Sequence, residues 1–249
     1  MALTNGNYDA LPQIGYIQGF WRFEDNFLDL SANANNLTET SGTVDYSASG
    51  KIGKAADFES DDTEYLEIAH ASCASLQITG NLTICSWINV ESFPAAEQAV
   101  VAKRIDTGNN LAYYLGTNDT GGDKVAFEIS SNGSARTTIL GNTTLNTATW
   151  YHIACVYDGS FIYVYLNGSS DQTPAAFTTG IYNANTPFNI GASKWGGAPT
   201  GYYDGLIDEA IVWNTALTPG EILQVYNIQS MGQYTSGGGG CSPCDPMMI

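Results

Sequence analysis

The stretch Trp150–Gly168, WYHIACVYDGSFIYVYLNG, holds two runs rich in Val, Ile, Tyr and Phe on either side of Asp158-Gly159-Ser160. Asp-Gly supplies the positive φ that a tight connection between antiparallel strands needs, so the stretch reads as a β-hairpin. Along the first run Trp150, His152, Ala154 and Val156 fall on one face, and Tyr151, Ile153, Cys155 and Tyr157 on the other. A period of two with apolar bulk on both faces is a strand pattern and not a helical one. The pair is therefore expected near the centre of a sheet covered on one side. Asn167-Gly168 then turns the chain again.

Working outward, strand-like runs recur between turn signals about 8–12 residues apart, the spacing of a sandwich or jelly roll. Strands are expected over 14–24, 55–59, 64–68, 81–90, 98–105, 111–117, 124–131, 135–140, 188–192 and 203–213. Residues 169–186 and 193–202 read as loops. Thr218-Pro219-Gly220-Glu221 is a capping box with Pro at the first helical position, which predicts one helix over 219–228. Residues 1–13 read as an N-terminal arm, 14–228 as the folded body, and 229–249 as a tail with a run of four glycines, 237–240, and the pair Cys241 and Cys244.

These phrases in this order resemble a family. W-x-H-x-A-x-V-Y-D-G with Y-V-x-L-N-G, the later Tyr203-Asp204-Gly205-Leu206-Ile207-Asp208-Glu209, the opening Gly19-Phe20-Trp21-Arg22-Phe23-Glu24-Asp25, the loop Asp29-Leu30-Ser31-Ala32-Asn33 and the strand Leu82-Thr83-Ile84-Cys85-Ser86-Trp87-Ile88 are similar to the laminin-G-like branch of the concanavalin A-like lectin/glucanase superfamily. The resemblance implies an all-β, two-sheet antiparallel jelly-roll sandwich with one short C-terminal helix. It also implies that the opening strand pairs with the last long one. Fold alone does not fix function.

Composition narrows the partners. Among 249 residues, 25 are acidic and 8 basic, a net charge of −17, which repels phosphate backbones and anionic lipid and argues against nucleic acid and membrane. The first residues have neither a basic segment nor an apolar one, so no signal peptide is expected, and no apolar run approaches 18 residues.

Two constellations could carry chemistry. Asp29, Ser31 and Asn33, with Glu24, Asp25, Asp204 and Asp208, offer hard oxygen ligands that suit one structural Ca2+. The alternative is that these are turn carboxylates capping backbone amides. Trp195 and Tyr202 could stack on sugar rings while Asn109, Asn110 and Asn189 hydrogen-bond hydroxyls, the alternative being aromatics that seal the core edge. Catalysis by paired carboxylates would need Asp204 and Asp208, which share a strand face at spacing four; the Glu-x-Asp-x-x-Glu phrase of the glucanases is missing, and no enzyme is expected. His152 is expected as a hydrogen-bonded core residue, and Cys73, Cys85 and Cys155 as small core residues.

The function expected is a non-enzymatic structural or adhesive surface protein, a virion component that decorates a capsid or forms a fibre, with the other subunits of that assembly and cell-surface glycans as partners. The rival is a secreted or cell-surface carbohydrate-binding module. Both place the chain outside a cell.

Overall fold

The computed structural model describes residues 8–93, 97–105, 107–108, 110–118 and 122–231. The strands in chain order are β1 (Ile17–Trp21), β2 (Thr38–Ser41), β3 (Asp45–Ser47), β4 (Ala55–Phe58), β5 (Tyr65–Ile68), β6 (Leu82–Val90), β7 (Gln98–Ile105), β8 (Asn110–Asn118) and β9 (Lys124–Ser130). There follow β10 (Arg136–Leu140), β11 (Trp150–Tyr157), β12 (Phe161–Leu166), β13 (Ser169–Ser170), β14 (Ala175–Ala176), β15 (Phe188–Ile190), β16 (Ser193–Trp195), β17 (Ala198–Thr200) and β18 (Gly205–Trp213). The helix α1 (Pro219–Ser230) closes the described chain.

They form two sheets. The first runs β13-β12-β11-β6-β18-β4-β3, with β1 on β18 and β14 on β12; the second runs β10-β9-β8-β7-β15-β5-β2, with β16 against β7 and β17 on β16. All of these pairings are antiparallel except the single bridge of β16 to β7. The two-sheet sandwich with one C-terminal helix is thus the fold that the alternation predicts.

The hairpin is as read: β11 pairs β12 from Ile153 opposite Leu166 to Tyr157 opposite Ile162. Gly159 has φ 92°, and Asn167 and Gly168 have φ 49° and 78°, a turn that a β-branched residue would strain. Ile153, Cys155 and Tyr157 pack between the sheets, with Trp21, Phe58, Phe127, Val164 and Val212. Ala154 and Val156 point the other way, into a second cluster with Phe20, Ile211, Trp213, Ile222, Val225 and Ile228. Contrary to expectation, the first sheet is therefore covered on both faces, by the second sheet inside and by α1 outside. Burying an aliphatic side chain such as Ile222 or Val225 stabilises by about 2 kcal/mol, which is what holds the helix on the sheet. The capping box starts it: Thr218 Oγ1 accepts from Glu221 N–H at 3.3 Å, and Glu221 Oε2 accepts from Thr218 N–H at 2.8 Å.

Other boundaries needed correction. The helix runs two residues past 228, to Ser230. Residues 8–13, assigned from sequence to the arm, belong to the second cluster: Tyr8 and Leu11 are buried, Tyr8 lies edge-on to Phe20 at 5.2 Å, and Trp213 Nε1 donates to Pro12 O at 3.2 Å. Two apolar side chains in a polar stretch give no periodicity, but they fill the gap between β18 and α1. Residues 1–7 and 232–249, with Cys241 and Cys244, lie outside the described residues. No helix among the described residues is long and apolar enough to cross a membrane.

Candidate functional site

The seven oxygen-bearing residues suggested for Ca2+ fall in three places. In the loop after β1, Asp29 Oδ1 accepts from the N–H groups of Phe20 and Ser31, both at 2.8 Å, and Oδ2 accepts from Asn35 N–H at 2.8 Å and Ser31 Oγ at 2.6 Å. Asn33 donates its amide to Gln18 O at 3.2 Å. The loop is closed by its own backbone, and its carboxylate has four donors already.

Glu24 and Asp25 lie at a second place, neutralised by cations: Arg22 is 3.2 Å from Glu24 and Lys54 2.6 Å from Asp25. Asp208 is buried beside them. Its Oδ2 accepts from Ile52 N–H at 2.9 Å, whereas Oδ1 is buried without a partner. A β-bulge between Asp208 and Ile211, with Glu209 at φ 54°, brings consecutive carboxyls to one side of β18, and Glu209 pairs with Arg22 at 2.8 Å. Burial pushes the Asp208 carboxyl up to about 9, and the Glu209 charge adds to the shift.

The third place is the far end of β18, where Asp204 accepts from Ser60 N–H at 3.3 Å and from Ser92 Oγ. Among the described residues, no group of three or more His, Cys, Asp or Glu is arranged to hold a metal ion. The residues present do not fit the Ca2+ set as the sequence suggests it, because they fall in three separate places and, Asp208 Oδ1 apart, their carboxylates are engaged by N–H groups, hydroxyls, Arg22 and Lys54. The same geometry separates the only carboxylate pair considered for catalysis. Four residues along a strand span about 13 Å, whereas glycosidase carboxyls stand about 5–9.5 Å apart, and Asp208 is inaccessible.

The residues suggested for sugar contact lie on or beside the second sheet where they are described. A transverse row runs Thr38, Glu67, Asn189, Ala102, Tyr114, Glu128, Thr138, one residue from each strand. Six of the seven can hydrogen-bond, and the outer ends, Thr38 and Thr138, are exposed. The middle is buried: Arg104 is held by Glu128 at 2.9 Å and lies 4.6 Å over the Tyr114 ring. Asn189 is buried too, its amide placed to donate to Glu67 Oε2 at 3.0 Å.

A partly exposed ring, Tyr202, lies at one corner of this sheet. The β16–β17 hairpin folds back so that Lys194 pairs with Ile105, whose other neighbour is Asn110. Lys194 pairs with Glu67 and sits 5.6 Å over Tyr65, and the half-buried Tyr202 ring lies 6.3 Å from Tyr65. Tyr202 and the strand carrying Trp195 thus belong to this corner, whereas Asn110 lies across β7 from Lys194; Asn109 and the Trp195 side chain lie outside the described residues.

His152 is in the core as expected, yet neither ring nitrogen has a partner. It sits under α1 against Trp87 and Tyr226, and burial lowers its pKa to about 3. Cys73, Cys85 and Cys155 are buried and free. Sequence reasoning passed over the outward-facing Phe161, Tyr163 and Tyr165 of β12, although an aromatic at every second position was a legible signal.

With this geometry in hand, the chain belongs to the concanavalin A-like lectin/glucanases superfamily, in its laminin-G-like branch, whose family pattern it matches over residues 60–223. No curated protein matches it in sequence. Among solved structures, it is similar to domain 4 of AbnA, an extracellular GH43 arabinanase from Geobacillus stearothermophilus solved with arabinotriose, at 20% identity and TM-score 0.64 over 84% of this chain and 98% of that one. It is also similar to the binding domain of Paraclostridial Mosquitocidal Protein 1, at 17% identity and TM-score 0.67 over 86% of this chain and 52% of that one. A third is botulinum neurotoxin type C, described as depending on two ganglioside molecules to enter cells, at 11% identity and TM-score 0.66 over 87% of this chain and 52% of that one. The chain spans about half the length of these two toxin chains.

Proposed function

We propose that the chain is a non-catalytic recognition module that binds carbohydrate at a surface and is displayed on the exterior of a larger assembly, as a capsid decoration or fibre component of a virus is. The observation that carries the binding claim is the corner where the half-buried Tyr202 ring, backed by the buried Tyr65, meets Lys194 and Glu67. A sugar has an apolar C–H face and a rim of hydroxyls, and it asks for aromatic surface next to donors and acceptors. The arabinotriose of the arabinanase domain and the gangliosides of the type C neurotoxin support the same class of ligand. A net charge of −17 turns the module away from nucleic acid and anionic lipid.

A second reading, a carbohydrate-binding module of a secreted enzyme, is favoured by the arabinanase domain, 98% of which is matched. A glycan array run with wild type, Tyr202→Ala and Lys194→Ala tests the shared claim. Each variant is expected to weaken binding about tenfold, the loss of about 1.4 kcal/mol. Absence of any glycan signal from wild type, or equal signals from all three proteins, overturns it.

A further inference from the structure

Strand β12 sends Ile162 and Val164 into the core between the sheets and Phe161, Tyr163 and Tyr165 to the opposite face. Tyr165 is buried in the cluster that α1 covers, but ordinary sheet patterning would place polar side chains at Phe161 and Tyr163, nearer the start of the strand. Instead Phe161 is 43% exposed, Tyr163 is half-buried, and successive ring centroids are 6.5 and 6.4 Å apart. The middle ring is held in place. Tyr163 Oη donates to Asp158 Oδ2 at 2.7 Å, and Asp158 Oδ1 is fixed in turn by the N–H groups of Ser160 at 2.8 Å and Phe161 at 2.7 Å. Across from this platform the start of α1, at Thr218 and Pro219, forms a second wall, and the depression between them has a volume of about 250 Å3.

We propose that this depression is a separate sugar subsite, on the opposite sheet from the Tyr202 corner, taking one ring of a glycan. The ring's C–H face lies on Tyr163, and its hydroxyls donate to Asp158 Oδ2, which accepts one hydrogen bond within the protein and has capacity for more. Three features select a sugar. The platform is aromatic and immobilised before any ligand arrives, so little ordering cost falls on binding. The acceptor is a carboxylate at the platform's rim, where a hydroxyl and not an apolar group is matched. The space is that of a single ring, smaller than the pockets of drug-sized ligands and too short for an extended peptide.

This inference rests on the carbohydrate reading above but on different residues, so the two can fail separately. Saturation-transfer NMR of the intact protein with a panel of methyl glycosides, pyranosides and furanosides together, is the test. Tyr163→Ala and Asp158→Asn are each expected to weaken one glycoside signal about tenfold, while Tyr202→Ala leaves that signal unchanged. Asp158→Asn keeps an acceptor for the turn and guards against a variant that only misfolds. Glycoside signals identical in wild type, Tyr163→Ala and Asp158→Asn sink the subsite while leaving the carbohydrate reading standing. No signal with any glycoside sinks both. A proline-rich peptide, or a second copy of the chain, that competes for Tyr163 where glycosides do not would also overturn the assignment.

Discussion

Asp208 is buried, with one carboxyl oxygen on Ile52 N–H and the other without a partner, and it stays protonated in the fold up to about pH 9. In the unfolded chain the same group ionises near the ordinary carboxylate value of 3.8. Between these limits the folded state holds one proton that the unfolded state has released, so stability falls as pH rises, by about 1.4 kcal/mol per unit. Asp208→Asn keeps the acceptor for Ile52 and removes the titration. Its amide N–H2 is left unpaired at a cost of about 1–3 kcal/mol that does not vary with pH. Urea unfolding of both proteins at pH 6 and pH 8 isolates the effect, since the other carboxylates raised by burial, Asp57, Glu59, Glu64 and Glu91, are common to both. The variant should gain about 2.7 kcal/mol on wild type over those two units. A difference that stays constant within about 0.5 kcal/mol would refute the reasoning, because Asp208 would then be ionised in the fold.

His152 runs the other way: the fold keeps it neutral down to about pH 3 while the unfolded chain protonates near 6.5, so stability falls as pH drops through that window. His152→Phe should lose less stability than wild type between pH 6.5 and pH 4, read as the shift in thermal midpoint. Tyr8→Ala removes a buried ring from Phe20 and Arg22 and should cost about 3 kcal/mol in urea, although its position near the N-terminus suggests a dispensable arm. Because Asp29 already has four donors, and Arg22 and Lys54 hold Glu24 and Asp25, Ca2+ and chelator should give the same melting temperature; a rise of several degrees in Ca2+ contradicts the assignment.

Strands buried on both faces, as β6, β11 and β18 are, were legible as near-continuous runs of apolar, β-branched and aromatic residues between turn signals, and the helix was legible through its Thr218–Glu221 box. The short strands β2, β3, β16 and β17 were not. Thr38–Ser41 is mostly exposed and polar, so its pairing with β5 leaves no apolar mark. The site was half legible. Aromatic and amide side chains of the Tyr202 corner could be named, but not that Asn189 would be buried on Glu67. Oxygen ligands could be counted around Asp29, but sequence does not reveal that Phe20, Ser31 and Asn35 fill that carboxylate with N–H groups. The bulge at Glu209 was likewise hidden, since a non-glycine residue at positive φ carries no sequence signature.

The central claim, recognition of carbohydrate without chemistry on it, is tested most directly by calorimetric titration of the native protein with the glycan that gives the strongest array signal, followed by chromatography of the recovered sugar. The account predicts saturable binding and a glycan returned intact; no measurable binding, or a glycan recovered in cleaved form, contradicts it.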